Sequence, residues 1–313
     1  MSIIEQATKR LEELRRAGIE IPPIAAEASA AAQAAPSDRK EGHRAGAVAA
    51  VVPLNGRELA TGASAPAVVV APRAKRVAEL DFARLAEQGY LTPNGPRGRL
   101  EDEIRLIKMQ LVRGLKGTAA NDGRANLIVV TSALPGEGKT FFAMNLAMSI
   151  AMSPDIHAVL VDADVLRPCI ADRCGLAKSS GLLDLLADPK LTVDDVMFET
   201  NVPKLSFIQA GTPDPGSAEL LAGNAAERLF TDLAARFADG VVIFDAPPLL
   251  AATEARQLAA RAGQVIVVVE ADRTDARLVG QAFAALTDCP SVSSVLNRCP
   301  GSAARTAYDY YGG

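Results

Sequence analysis

The chain has 313 residues, of which 49% are hydrophobic and 22% charged, a composition that excludes wholesale disorder. A net charge of -4, from 33 Lys and Arg against 37 Asp and Glu, argues against a dedicated nucleic-acid binder. No apolar run approaches the roughly 18–20 residues a membrane helix needs, and the N-terminus opens no signal-peptide-like stretch, so a cytoplasmic location is expected.

Residues 1–20 carry Ile4, Ala7, Leu11 and Leu14 at spacings of three and four, which predicts an amphipathic helix stopped by Pro22-Pro23. Residues 21–78 are rich in Ala with scattered Pro and read as a flexible linker. Residues 79–120 form a helical lead-in. A short helix around Leu80 and Leu85 ends near Gly89, and a longer one, from about Leu100 to Leu115, places Ile104, Ile107, Leu111 and Leu115 on one face. From 121 to 298, β-branched runs at 127–131, 158–162, 205–209, 241–245, 265–270 and 292–297 alternate with helical stretches at 141–152, 217–237, 252–262 and 273–287. Several of these runs are apolar at nearly every position, as in strands covered on both faces. This predicts an α/β domain whose mostly parallel sheet is flanked by helices. Cys169, Cys174, Cys289 and Cys299 show no paired metal-ligand spacing, and His43 and His157 stand far apart, so no zinc site is expected.

The strongest motif is Ala133-Leu134-Pro135-Gly136-Glu137-Gly138-Lys139-Thr140, between a predicted strand and a predicted helix. This order and context define a Walker A loop. Gly136 and Gly138 let backbone N–H groups turn inward around phosphate oxygens, and the helix start adds its positive dipole end. Lys139 is expected to reach the β- and γ-phosphates of ATP, and Thr140 to hold Mg²⁺. The nucleotide-binding residues are thus Gly136, Glu137, Gly138, Lys139, Thr140 and Phe141.

Two further strands end in acids, one at Asp162-Ala163-Asp164 and one at Asp245. In a parallel sheet these C-terminal strand ends line the ligand crevice. One Asp suffices for a nucleotide hydrolase; the second acidic strand end provides a spare carboxylate, which a kinase needs to orient or deprotonate an acceptor hydroxyl. Of four tyrosines, three fall within the last six residues: Tyr308, Tyr310 and Tyr311. A tail at 299–313 rich in phenol hydroxyls is what a tyrosine kinase acting on itself requires.

A Walker A loop, an Asp-x-Asp strand end, a second Asp strand end and a C-terminal Tyr cluster together resemble the bacterial tyrosine kinases of polysaccharide biosynthesis. Within that family the chain looks most like the exosortase-associated tyrosine autokinases, which also carry a short charged N-terminal helix and a segment like Gly89-Tyr90-Leu91-Thr92-Pro93. The resemblance implies a P-loop NTPase fold and an autokinase of the exopolysaccharide and capsule pathway. It implies catalytic roles for Lys139, Asp162, Asp164 and Asp245: Asp162 to activate the tyrosine hydroxyl, Asp164 and Asp245 to act with Thr140 at Mg²⁺. It implies Tyr308, Tyr310 and Tyr311 as phosphoacceptors, and a homo-oligomer, in the family a ring, that transfers phosphate between subunits. It further implies a membrane activator of the polysaccharide co-polymerase (chain-length determinant) type that recruits the kinase to the inner face of the membrane, and a cognate tyrosine phosphatase. Two positions depart from the family pattern. Leu166 stands where Arg is usual, with Arg167 following, and the helix motif of ring formation reads Asp102-x-x-Arg105-x-x-Lys108 instead of Glu-x-x-Arg-x-x-Arg. Two alternatives are an ATPase switch of the partitioning or division-site type, which would carry Lys where Leu134 stands and lack a tyrosine tail, and a non-catalytic ATP-sensing regulator.

Overall fold

Among the described residues, eight strands assemble into one sheet. The computed structural model describes residues 76–117 and 123–300. The expected N-terminal helix, most of the linker, and the tail with Tyr308, Tyr310 and Tyr311 lie outside the described residues. In chain order the elements are β1 (Arg76–Ala78), α1 (Phe82–Glu87), α2 (Arg99–Gly117), β2 (Leu127–Ser132), α3 (Lys139–Ala151), β3 (His157–Asp162), α4 (Ile170–Cys174), α5 (Leu182–Ala187) and α6 (Val193–Val196). There follow β4 (Met197–Thr200), β5 (Leu205–Ile208), α7 (Ser217–Ala222), α8 (Asn224–Arg236), β6 (Gly240–Asp245), α9 (Thr253–Ala259), β7 (Gln264–Glu270), α10 (Ala276–Ala284) and β8 (Val292–Asn297). The strands lie in the order β1-β4-β5-β3-β6-β2-β7-β8, and every pair is parallel except β4 with β5.

The central strands are apolar throughout because both faces of the sheet are covered. Successive side chains point to opposite faces. Leu127, Val129, Val242, Phe244, Val265 and Val267 pack with α5, α8 and α9 on one side, where Phe230 stacks on Phe244 with ring centroids 4.6 Å apart. Their neighbours Ile128, Val130, Val241, Ile243, Ile266 and Val268 pack on the other side against α3 and against Leu85, Tyr90, Ile104 and Leu111 of the lead-in. The lead-in is thus part of the same core. α2 is further tied to the C-terminal end of α3 by Lys108, whose Nζ donates to the Ser149 carbonyl and to Ser153 Oγ, each at 2.9 Å. A cation there complements the helix dipole.

Several elements differ from the sequence expectation. β1 lies at the end of the Ala/Pro-rich stretch read as linker, and its three residues are too few to show a period. β4 joins β5 antiparallel through Phe198 opposite Phe207, a pairing that no local pattern announces. The single helix expected over 217–237 is two, α7 and α8, separated at Gly223. α4, α5 and α6 were not expected; each is six residues or shorter and is held by packing more than by propensity.

Candidate active site

β2 is buried at every position and delivers the chain to residues 133–138 at the C-terminal edge of the sheet. Gly136 (φ 91°) and Gly138 (φ 96°) adopt the left-handed conformation that the loop needs. A Cβ at Gly138 would also lie 2.1 Å from Asn297 Nδ2, so the Asn297 side chain would have to move. α3 starts at Lys139, so the loop's N–H groups and the helix dipole converge on one point.

A cavity of about 660 Å³ opens over this loop, and Gly136, Gly138, Lys139, Thr140, Phe141 and Asp164 are in its wall. Lys139 Nζ pairs with Asp164 Oδ2 at 2.6 Å and approaches Asp245 Oδ1 at 3.8 Å. Asp162 and Asp245 are opposite one another in the β3–β6 register. Both lie beneath the cavity and are not in its wall. Asp162 Oδ2 accepts the N–H groups of Cys169 and Ile170 at 3.1 and 3.0 Å, which fixes that side chain at the start of α4. Asp162 Oδ1 and both oxygens of Asp245 are buried without a hydrogen-bond partner.

The electrostatics follow from this crowding. Burial, reinforced by the Asp245 carboxylate and opposed by the two backbone N–H groups, pushes Asp162 up to about 7. Burial pushes Asp245 up to about 6, opposed first by the Lys139 ammonium and then by the nearby Thr140 hydroxyl. The hydroxyl acts there without forming a well-aligned hydrogen bond. Burial works against the Lys139 charge, but Asp245 and Asp164 outweigh it and hold its pKa above the ordinary value. Three carboxylates thus share one cation, and three buried acidic oxygens stand without a donor. Hard oxygen donors in deficit of positive charge suit a divalent cation of the Mg²⁺ type. Among the described residues no three His, Cys, Asp or Glu side chains form a cage by themselves.

A pH dependence follows. The folded-state pKa of Asp245, about 6, exceeds its ordinary 3.8, so between these values the metal-free folded protein holds more protons than the unfolded chain. The associated stability is present below the lower value and is lost as pH rises through the upper one. We expect the melting temperature of Asp245→Asn, relative to wild type without metal, to climb with pH across this window and level off above it. A flat difference would show that Asp245 ionises freely in the fold.

Glu137, expected among the nucleotide-binding residues, is not in the cavity wall. Its carboxylate accepts the Leu134 N–H at 2.6 Å and the Thr274 hydroxyl, and the side chain is buried. It braces the loop, and only its backbone remains to meet a phosphate. Several residues that line the cavity escaped sequence reasoning: Tyr90, Cys169, Arg173, Asn297 and Arg298. Asn297 ends β8 and donates from Nδ2 to the Glu137 carbonyl at 2.9 Å, closing the loop from the far side. Its position at the C-terminal end of a predicted parallel strand was the available signal.

A parallel sheet with a Walker A loop at its carboxyl edge, facing a cavity walled by Lys139, Thr140 and Asp164, defines a P-loop nucleotide-binding protein. No protein-family profile matches the chain. Tyrosine-protein kinase YwqD of Bacillus subtilis is 30% identical over 228 residues, covering 72% of this chain and 92% of YwqD. The putative tyrosine-protein kinase EpsB of Ralstonia nicotianae is 34% identical over 176 residues, 56% of this chain, which spans only 23% of EpsB. The succinoglycan biosynthesis transport protein ExoP of Rhizobium meliloti is 29% identical over 203 residues, 64% of this chain and 24% of ExoP. The solved BceF tyrosine kinase domain superposes with a TM-score of 0.56 at 26% identity, covering 70% of this chain and 91% of that domain. The chain belongs to the bacterial tyrosine-protein kinases.

Proposed function

We propose that the chain is an ATP- and Mg²⁺-dependent protein-tyrosine autokinase that phosphorylates Tyr308, Tyr310 and Tyr311 on a neighbouring copy of itself. The observation that carries this reading is the second acidic strand end. A nucleotide hydrolase has use for Asp245 alone, whereas here Asp164 pairs with Lys139 in the cavity wall and Asp162, with one unbonded oxygen, lies just behind it. In the reaction a tyrosine oxygen attacks the γ-phosphorus, the bond from that phosphorus to the β-bridging oxygen breaks, and ADP leaves. The phenol proton passes to Asp162, whose raised pKa of about 7 suits a base working near neutrality. Lys139 follows the negative charge onto the departing oxygens, and the loop N–H groups hold the β-phosphate. Thr140, Asp164 and Asp245 would hold Mg²⁺, which supplies charge neutralisation at the phosphate oxygens.

The described chain reaches Pro300 just past Asn297 and Arg298 of the cavity wall. The eight residues from there to Tyr308 span at most about 26–29 Å. Reach therefore permits a subunit to serve its own site as well as a neighbour's, and transfer in trans rests on the family resemblance. The expected assembly surface at Arg105 and Lys108 is altered in this chain. Lys108 is engaged internally, and Arg105 pairs with Glu101 at 2.6 Å, leaving Arg105 as the exposed member.

The test mixes a Lys139→Ala chain with intact tyrosines and an active chain with Tyr308, Tyr310 and Tyr311 changed to Phe. Phosphotyrosine on the inactive chain is the expected result. An unlabelled inactive chain, with wild type alone labelling well, would place transfer within one subunit and remove the reason for a ring.

The biological setting we propose is exopolysaccharide or capsule synthesis and export, in line with the similarity to the succinoglycan biosynthesis transport protein ExoP. Among the described residues no helix is long and apolar enough to cross a membrane. In this reading the kinase works in the cytoplasm, is drawn to the inner membrane face by a co-polymerase-type activator, and is reset by a tyrosine phosphatase.

A further inference from the structure

One cation in the cavity wall has no carboxylate in direct contact among the described residues, although it feels Asp245 at longer range. Arg173, on α4, is half-buried and lines the cavity. Its Nη1 donates to the Tyr90 phenol oxygen at 2.9 Å and its Nε to Cys169 Sγ at 3.5 Å. Among the described residues no carboxylate comes within ion-pair distance of it. The other cations of the wall differ: Lys139 is paired with Asp164, Arg298 is paired with Glu270 at 2.9 Å, and Arg167 is exposed to water. Withdrawing a guanidinium from water without a carboxylate in contact is unfavourable unless a ligand supplies the negative charge.

The support around Arg173 holds it in one place. Tyr90 is buried and packs on Phe141, the residue after Thr140, with ring centroids 5.1 Å apart. The next residue, Leu91, donates its N–H to Asn145 Oδ1 at 2.7 Å, and Asn145 is wholly buried on α3. The turn between α1 and α2 is thus pinned to the helix that begins at the phosphate loop, and its phenol aims the guanidinium. On the other side, Cys169 Sγ is 3.9 Å from Thr140 Oγ1. Arg173 therefore stands one side chain away from the hydroxyl at the mouth of the phosphate loop.

We propose that Arg173 binds the terminal phosphate oxygens of a nucleoside triphosphate in this cavity, with Tyr90 as its positioning residue. The planar guanidinium fork matches two phosphate oxygens at once, which an ammonium does not. The proposal rests on the reading of the site as a nucleotide-dependent kinase and adds to Lys139 a second cation that reports on phosphate number.

The experiment measures ATP, ADP and AMP affinity by calorimetry, with Mg²⁺, for the full-length wild type, Arg173→Gln, Arg173→Lys and Tyr90→Phe, together with each protein's melting temperature. Arg173→Gln should weaken ATP on the order of 10- to 100-fold, the range for a hydrogen bond to a charged group, and leave AMP nearly unchanged. Arg173→Lys should recover part of the loss. Tyr90→Phe should give a smaller loss with the same preference for the triphosphate. An equal loss for all three nucleotides with a lowered melting temperature would make Arg173 merely structural, and unchanged ATP affinity in Arg173→Gln would show that it makes no contact; either result overturns the proposal. If wild type binds ATP yet forms no phosphotyrosine, the kinase reading fails while the affinity series still decides the role of Arg173.

Discussion

Lys139→Ala is expected to abolish measurable self-phosphorylation while leaving the fold intact. Phosphoryl transfer depends almost wholly on positioning and on stabilising charge as it moves, and removing one such group costs on the order of 100-fold or more in rate. In this chain the loss should lie at the upper end, because Lys139 also neutralises the acids around it. It pairs with Asp164 at 2.6 Å and stands 3.8 Å from Asp245. Without it, the Asp245 carboxylate loses the cation that opposes its burial, so in the absence of metal the variant should shift Asp245 still further toward the protonated form. Anti-phosphotyrosine blotting of purified protein with ATP and Mg²⁺ reads the first effect. Wild-type phosphotyrosine in the variant would refute the assignment of the loop as the transfer site.

Asp162→Asn is the second large effect. A positioned base contributes roughly 100- to 10,000-fold, so transfer should fall by that order while ATP affinity is retained. The neighbouring carboxylates behave differently. Asp164→Asn and Asp245→Asn should bind ATP poorly at low Mg²⁺ and recover as Mg²⁺ is raised. The geometry makes the comparison demanding, because Asp162 lies behind the cavity wall whereas Asp164 is in it. Retained binding with slow transfer in Asp162→Asn supports the base role. A shared loss of Mg²⁺-dependent ATP binding in Asp162→Asn would assign Asp162 to the metal, and normal autophosphorylation would remove it from the chemistry.

The phosphate loop was legible because its residues are contiguous and each is dictated by a local need: left-handed backbone at Gly136 and Gly138, a cation at Lys139, a hydroxyl at Thr140. The acids at 162, 164 and 245 were legible for a related reason. Each ends an apolar strand, and parallel strands bring their ends to one edge. Glu137 shows where local reading stops. Its place inside the loop points to a nucleotide contact through the backbone, whereas its carboxylate is taken by Leu134 and by Thr274, which is distant in sequence.

What the sequence by itself determined is the α/β class, the strands of the central sheet, the phosphate loop and the set of acids, since these follow from periodicity and from contiguous chemistry. The tertiary structure alone decided the sheet order, the antiparallel insertion of β4, and the use of the lead-in as part of the site wall. Tyr90 reaches Arg173 across 83 positions, and Asn297 reaches the Glu137 carbonyl across 160. Such contacts leave no periodic trace, because they are selected by the packing of whole elements on the sheet and not by the propensities of the residues that make them.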